Sequence, residues 1–505
     1  MISARTKLGL ETLAAGVALG VTGDTLLRAM PWGLNVTLSA VALIAAGTIL
    51  VRRHQLSPSP DAPWLALTVL LLGAAFMRRD SEALAQFDII GLLIALSLGA
   101  ASLHGEHIAA LRPLEYVRAG ASTVLGTIAG SFRLVGDDVR WSELPREGRF
   151  SKVRPAGLGV LLAVPLLIVF GALFASADTV FASVLQNLFA FDLGTVVNHM
   201  FFVAFWGALT AGYLRWGLFG RPAEWSRPTA STGVGIVPIA TALGLLNLLF
   251  LLFVVVQLRY FFGGVTLIET TTDLTYAEYA RRGFFELVAA SSLTLPVLLG
   301  ADHLVRGETT EHLRMFRRLA GLLLVLLAVV MASALERMRL YVAAYGLSED
   351  RLYAAAFMVY LLGVFAWFAW TVLRGASARP RARFAFGALI HGFSVLAGLH
   401  ILNPDAFIVR TNLNRPAAER PFDTKYALLL GADAVPHLLD ALPRLGADDR
   451  CAVARSLLGR WKDDADWRTW NWSRSRARRL VRERATELRA VPCPRDKTLQ
   501  VPAQR

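Results

Sequence analysis

Glu278, Arg282 and Glu286 recur at four-residue intervals in the string Leu274–Leu287. That spacing stacks two carboxylates and a guanidinium on one face of a helix. Such a set can hold an anionic group on the arginine while a glutamate moves a proton, or it can simply neutralise itself as an ion ladder. Thr275 and Glu278 form a capping-box pattern that starts this helix. Glu286 falls just inside an apolar block, where an ionisable group is costly unless paired or hydrated.

Three further strings place polar residues at the edges of apolar blocks. Phe174–Phe181 carries Asp178 among small residues, as a site or as the cap of the next helix. Glu336–Tyr353 carries Glu336, Arg337 and Arg339, with Arg337, Tyr341 and Tyr345 along one helix face. Gly346 is the expected C-cap there, and Ser348 with Glu349 and Asp350 starts the following helix. Asn403–Leu413 opens with Asn403-Pro404, a helix stop that leaves Asp405 and Arg410 unexplained. The candidate ligand-binding set is therefore Asp178, Glu278, Arg282, Glu286, Glu336, Arg337, Arg339, Tyr341 and Tyr345. No catalytic residue, metal site or cofactor is assigned. The chain lacks G-x-S-x-G, H-E-x-x-H, Walker and G-x-G-x-x-G strings. His391 and His400 are nine apart, on opposite faces of one helix, and read as core histidines.

The elements that position these residues are membrane spans. The chain of 505 residues is 55% hydrophobic and only 18% charged, with a mean hydropathy of +0.49. Blocks such as Gly235–Val256 and Leu319–Leu335 are nearly uncharged at the length needed to cross a bilayer, where the backbone must bond to itself as helix. Eleven spans are expected: Leu8–Leu27, Gly33–Val51, Trp64–Met77, Leu84–Leu103, Gly157–Ala175, Val196–Trp216, Val234–Val256, Phe284–Leu304, Leu319–Leu335, Leu352–Leu373 and Phe384–Leu402. The first carries Glu11 and Asp24, and the third is short. Arg5 and Lys7 ahead of the first resemble a secretory signal, but with so many spans following it reads as a retained helix.

The fold class is an all-α polytopic transmembrane helix bundle with a small helical C-terminal domain. Residues 1–402 form the bundle, with a basic cytoplasmic loop at 105–154, and 403–505 form a soluble or membrane-apposed tail. The formal charge of +14 is topological in origin, because basic residues collect in cytoplasmic loops. With the N-terminus inside, inside segments exceed outside loops in Lys and Arg by 23 to nine, and Ser176–Thr195 has none. This puts the tail outside, on the side of all four polar strings and Asp24. An amphipathic stretch near Leu114–Phe132 is expected in the cytoplasmic interface.

In the tail, Asp433 and Asp448 or Asp449 sit at expected N-caps, and Pro436 in a first turn. Arg474–Arg489 is a basic helix beside Trp461, Trp467, Trp470 and Trp472. It reads as a solvated face or as a dock for anionic headgroups of the lipid bilayer. No nucleic-acid motif accompanies the charge. Cys451 and Cys493 could bond in an oxidising compartment, but Pro492 and Pro494 around Cys493 suggest a loose terminus and an open pair.

The four strings "FASADTVF", "TYAEYARRGFFEL", "RLYVAAYGLSEDRLY" and "NPDAFIVRTNL" resemble a family of bacterial polytopic membrane proteins. It is catalogued as a domain of unknown function, four-one-seven-three. The resemblance runs from about Gly20 to Arg484 and implies a bacterial cytoplasmic-membrane protein, with no substrate, cofactor or catalytic residue to carry over. The expected function is a non-enzymatic sensor, accessory subunit or carrier with a polar site near the extracytoplasmic mouth. The alternative is a membrane-embedded enzyme acting on lipid or envelope polymer, with Glu286 or Asp178 as general base.

Overall fold

The computed structural model describes residues 2–143, scattered positions between 163 and 181, and 193–219, 235–272, 284–305, 310–374, 380–415, 422–461 and 466–493. The bundle helices are α1 (Ala4–Leu27), α2 (Leu34–Arg53), α3 (Ala62–Arg78), α4 (Glu82–Leu103), α5 (Pro113–Arg133), α6 (Leu193–Phe219), α7 (Ile236–Thr272), α8 (Phe284–Leu304), α9 (Thr310–Tyr345), α10 (Glu349–Phe368) and α11 (Pro380–Leu402). The tail adds α12 (Pro404–Leu413), α13 (Thr424–Leu429), α14 (Val435–Ala441), α15 (Ala447–Arg460), α16 (Trp472–Glu483) and α17 (Ala485–Arg489). Nine of the described helices are long and apolar enough to cross a membrane, and α3, at 17 residues, is shorter. The fifth expected span, Gly157–Ala175, lies mostly outside the described residues.

The two acidic residues of α1 are both paired, which is how a weak span stays in the bundle. Glu11 meets His54 at 3.0 Å and Arg53 at 3.2 Å. Asp24 meets His199 at 2.5 Å and Arg28 at 3.2 Å. Close backbone approach holds α1 on α6. A Cβ on Gly16 would lie 2.5 Å from that of Ala211, and one on Gly20 would lie 2.5 Å from the Val203 carbonyl oxygen. Without hydrophobic drive between spans, such small-residue contacts carry much of the association. Helix α5 packs Gly130 against Gly212 and leaves Val117, Leu125, Ile128 and Phe132 exposed. That apolar face matches the amphipathic stretch expected there.

The largest core joins α7 to α11 around Phe316, Leu323, Leu327, Met358 and Phe368. The tail packs its own core around α12, with Ile408, Val409, Val435, Leu438 and Leu457 buried together. Leu347 and Leu352 from the α9–α10 hairpin belong to that same cluster. The tail is thus packed onto the bundle. Two tail expectations are corrected. Cys451 and Cys493 are disulfide-bonded, with Cα atoms 5.2 Å apart, because α15 and the segment after α17 are brought side by side. Asp433 caps no helix: α14 starts after Ala434, and the Asp433 carboxylate is used elsewhere. Asp448 and Asp449 fall in the first turn of α15, behind Gly446 as its N-cap. Pro436 stands in the first turn of α14 as expected.

The N-terminus and the tail occupy opposite ends of the bundle. At one end Asp138 binds Arg5 and Arg215. At the other the tail meets the α1–α2 and α3–α4 turns and the α9–α10 hairpin.

Candidate functional site

The site grows from five consecutive polar residues, Arg78–Glu82, between two apolar helices. Helix α3 stops where Arg79 turns extended, and Ser81 caps α4 through Leu84 N–H. This leaves Arg79 and Asp80 in a tight turn whose backbone groups need partners. The tail supplies them. Asn471 Nδ2 donates to the carbonyls of Phe76 and Arg79, both at 2.8 Å. Leu34 N–H at the start of α2 donates to the Trp470 carbonyl at 2.9 Å. Arg468 donates to the Thr25 carbonyl of α1 at 2.6 Å.

Two carboxylates then lock the junction. Asp433 Oδ1 accepts from Arg79 Nη1 at 3.0 Å, Asn403 Nδ2 at 2.9 Å and Ser473 Oγ at 2.8 Å. Its Oδ2 accepts from Asp80 N–H at 3.1 Å. Asp80 in turn accepts from Arg474 Nη1 at 2.7 Å and from Ala432 N–H at 3.0 Å. Arg474 Nη2 also donates to the carbonyls of Trp32 and Thr469, each at 2.8 Å. Neighbouring Gly431 is sterically required, since a Cβ there would lie 1.6 Å from the Asp80 carbonyl oxygen.

Beside this lock lies a cavity of about 620 Å³. Leu84, Asp88 and Ile89 of α4 line one side, Met30–Trp32 another, and Gly431, Trp461 and Arg474 of the tail a third. Asp88 is buried and bonded to His400 at 2.8 Å, so the histidine has a carboxylate partner from another helix. Asp405 is 1% exposed. Its Oδ2 accepts from Gly431 N–H at 2.8 Å, and its Oδ1 has no hydrogen-bond partner among the described residues. Burial first, then the carboxylates of Glu349, Asp433 and Asp80, push its carboxyl up to about 8.

That shift has a stability consequence with a definite sign. The folded pKa is raised, so the contribution is fully present below the ordinary value of 3.8 and is lost as pH rises to about 8. Hydrogen exchange across the junction should report weakening over that window, at up to about 1.4 kcal/mol per pH unit. Asp405→Asn should flatten the slope, and an unchanged slope in that variant would assign the effect to other groups.

None of the seven described sequence candidates lines this cavity. Asp178 accepts from Phe181 N–H at 3.1 Å, the capping role. Glu278 and Arg282 lie outside the described residues, and Glu286 is exposed at the start of α8. Glu336 and Arg339 pair with each other at 2.6 Å on the α9 surface. Arg337 is buried and bonds Gln257 Oε1 at 2.9 Å, as does Ser333 at 3.2 Å. Tyr341 and Tyr345 pack edge to face at 5.2 Å, with the Arg351 guanidinium 4.0 Å over the Tyr341 ring. Among the described candidates, Glu336 with Arg339 and Tyr341 with Tyr345 form local pairs, and none of the seven meets the cavity. Asp405, unexplained by the helix stop, is where the fourth string meets the site. The Arg78–Glu82 turn carried one readable signal, five polar residues in a row between two apolar blocks. Among the described residues no His, Cys, Asp or Glu group is arranged to hold a metal ion.

Comparison with known proteins gives one family match: residues 66–441 fit the model described as Domain of unknown function (DUF4153). The expected family of unknown function is met at that level, but under a different number from the one the four strings resemble. The matched region holds Arg79, Asp80, Asp88, Glu349, Asp405 and Asp433 but not Arg474. No curated protein and no solved structure matches.

Proposed function

The chain belongs to the DUF4153 family, and from that premise we propose that it is a non-enzymatic integral membrane protein holding a small polar ligand under its tail. The work is that of a sensor, accessory subunit or carrier at the extracytoplasmic mouth of a bacterial cytoplasmic-membrane bundle. The observation that carries this reading is the cavity itself, which lies between bundle and tail beside the buried ion pairs that join them. A pocket of that size with a few convergent polar groups suits a small molecule. The side is supported by the excess of Lys and Arg on the opposite loops and by the Cys451–Cys493 bond, which persists in oxidising compartments. Exposed Trp467 and Trp472, next to the helix ends and the basic α16, support contact with anionic headgroups.

One observation favours the enzymatic reading. Asp405 is a buried carboxyl poised near neutrality, which is what a general acid or base requires. Glu286 and Asp178 are less suited, being exposed and cap-bonded respectively.

Thiol labelling tests the orientation. In intact cells Ser176→Cys should react with a membrane-impermeant reagent and Ser226→Cys should not, while Cys451 and Cys493 stay silent as a disulfide. The reverse pattern would place the cavity in the cytoplasm and end the proposal. Turnover of added lipid or envelope polymer by the purified protein, abolished by Asp405→Asn, would replace it with the enzymatic reading.

A further inference from the structure

Three polar atoms around the cavity are left unmet by the protein. Asp405 Oδ1, Arg474 Nε and Trp32 Nε1 are buried without a hydrogen-bond partner among the described residues, and all three residues line the cavity. Asp405 and Arg474 are only 1% and 5% exposed. A buried donor or acceptor without a partner loses its hydration and gains nothing in return, so native interiors seldom keep several together.

The charges facing Asp405 define what is missing. They are carboxylates: Glu349 at the start of α10, Asp80 in the α3–α4 turn and Asp433 in the tail. Tyr353 of α10 and Tyr426 of α13 add two phenols. The arginines of the wall are committed. Arg79 binds Asp433, Arg474 binds Asp80, and Arg460 donates to the carbonyls of Leu428 and Leu430. Arg478 is engaged as well. On the bundle side His400 is bonded to Asp88. Among the described residues the site therefore offers an unbonded carboxyl oxygen on Asp405 with no cation beside it, and two unbonded N–H donors on Trp32 and Arg474.

We propose that the cavity binds a small protonated amine that also carries an acceptor oxygen, with its ammonium on Asp405 and its oxygen on the N–H groups of Trp32 and Arg474. This names the ligand class of the site proposed above and rests on that reading. The Trp32 and Trp461 rings in the wall offer aromatic faces that favour a cation. Exposed Met30 and Leu429 at the rim, 67% and 77% accessible, make an apolar entry at the level of the helix ends. The amine can then arrive free in solution or on a lipid headgroup. An ammonium is best held by the ionised carboxylate, so it must drive off the proton that the buried Asp405 carries up to pH about 8. Binding at neutral pH therefore releases protons.

Titration calorimetry of the full chain in phosphatidylglycerol nanodiscs tests this, with ethanolamine and phosphoethanolamine as probes at pH 7. Repeating it in buffers of different ionisation enthalpy should reveal proton release on binding. Asp405→Asn, nearly isosteric with the protonated acid and so expected to fold, should weaken binding at least tenfold. Trp32→Phe keeps a ring but loses the N–H and should weaken it several-fold. Competition from phosphatidylethanolamine in the disc would assign the headgroup as the source, and undiminished affinity would assign the free amine. No binding of either amine, binding without proton release, or unchanged affinity in Asp405→Asn would each overturn the inference. Saturable binding of inorganic phosphate or glucose alone would also overturn it while leaving the ligand cavity in place.

Discussion

Arg474→Ala is expected to free the tail from the bundle at a cost of about 3–5 kcal/mol, the range for removing one partner of a buried ion pair. Arg474 is only 5% exposed. One guanidinium meets the Asp80 carboxylate and two carbonyls, on Trp32 and Thr469. Its loss strands Asp80, which is itself mostly buried, and opens the α1–α2 turn together with the α3–α4 turn. Hydrogen exchange should show α16 losing protection while α7–α9 keep theirs. Arg474→Lys should recover only part, because a point charge cannot serve three acceptors spread in a plane. Undiminished protection of α16 in Arg474→Ala would mean the apolar contacts of the tail core hold it unaided.

The second large effect lies at the opposite end. Asp138 is fully buried and divides its oxygens between Arg5 at 2.6 Å and Arg215 at 2.7 Å. The two arginines are unequal: the Arg5 side chain is 58% exposed and that of Arg215 only 9%. Asp138→Ala should therefore cost about 3–5 kcal/mol by leaving Arg215 unpaired in the bundle. Arg5→Ala should cost less than about 1 kcal/mol, as for other solvated ion pairs. Thermal unfolding of the purified protein would separate the two. The double change Asp138→Ala with Arg215→Met should recover much of the loss, since no stranded charge remains. Equal effects of Asp138→Ala and Arg5→Ala would show that burial is not what sets the cost.

The helices were legible because lipid imposes a length and a composition on each, and both can be counted along the chain. The site was not. Its bonds join residues as far apart as Asp80 and Arg474, 394 positions in sequence, and such pairs leave no periodic trace. One regular spacing that does leave a trace, Glu336 with Arg339, is a short surface pair. Arg474 was hidden for a further reason. It belongs to a helix so rich in arginine that one buried guanidinium looks like its solvated neighbours. Asp433 was read for its local position before a helix, whereas its partners come from Arg79, Asp80, Asn403 and Ser473. The Cys451–Cys493 bond escaped because flanking prolines describe local backbone and say nothing of what α15 brings alongside.

The way the tail completes the ends of the first three helices also sets an order in time. Phe76 and Arg79 leave the ribosome nearly 400 residues before the Asn471 side chain that receives their carbonyls. At about 5–20 residues per second that interval is roughly 20–80 s. Throughout it the turn after α3 must rely on water for its hydrogen bonds, and the cavity has no roof. The cavity beneath the tail thus closes late, only after Asn471 and Arg474 have been made and brought back to the α3–α4 turn.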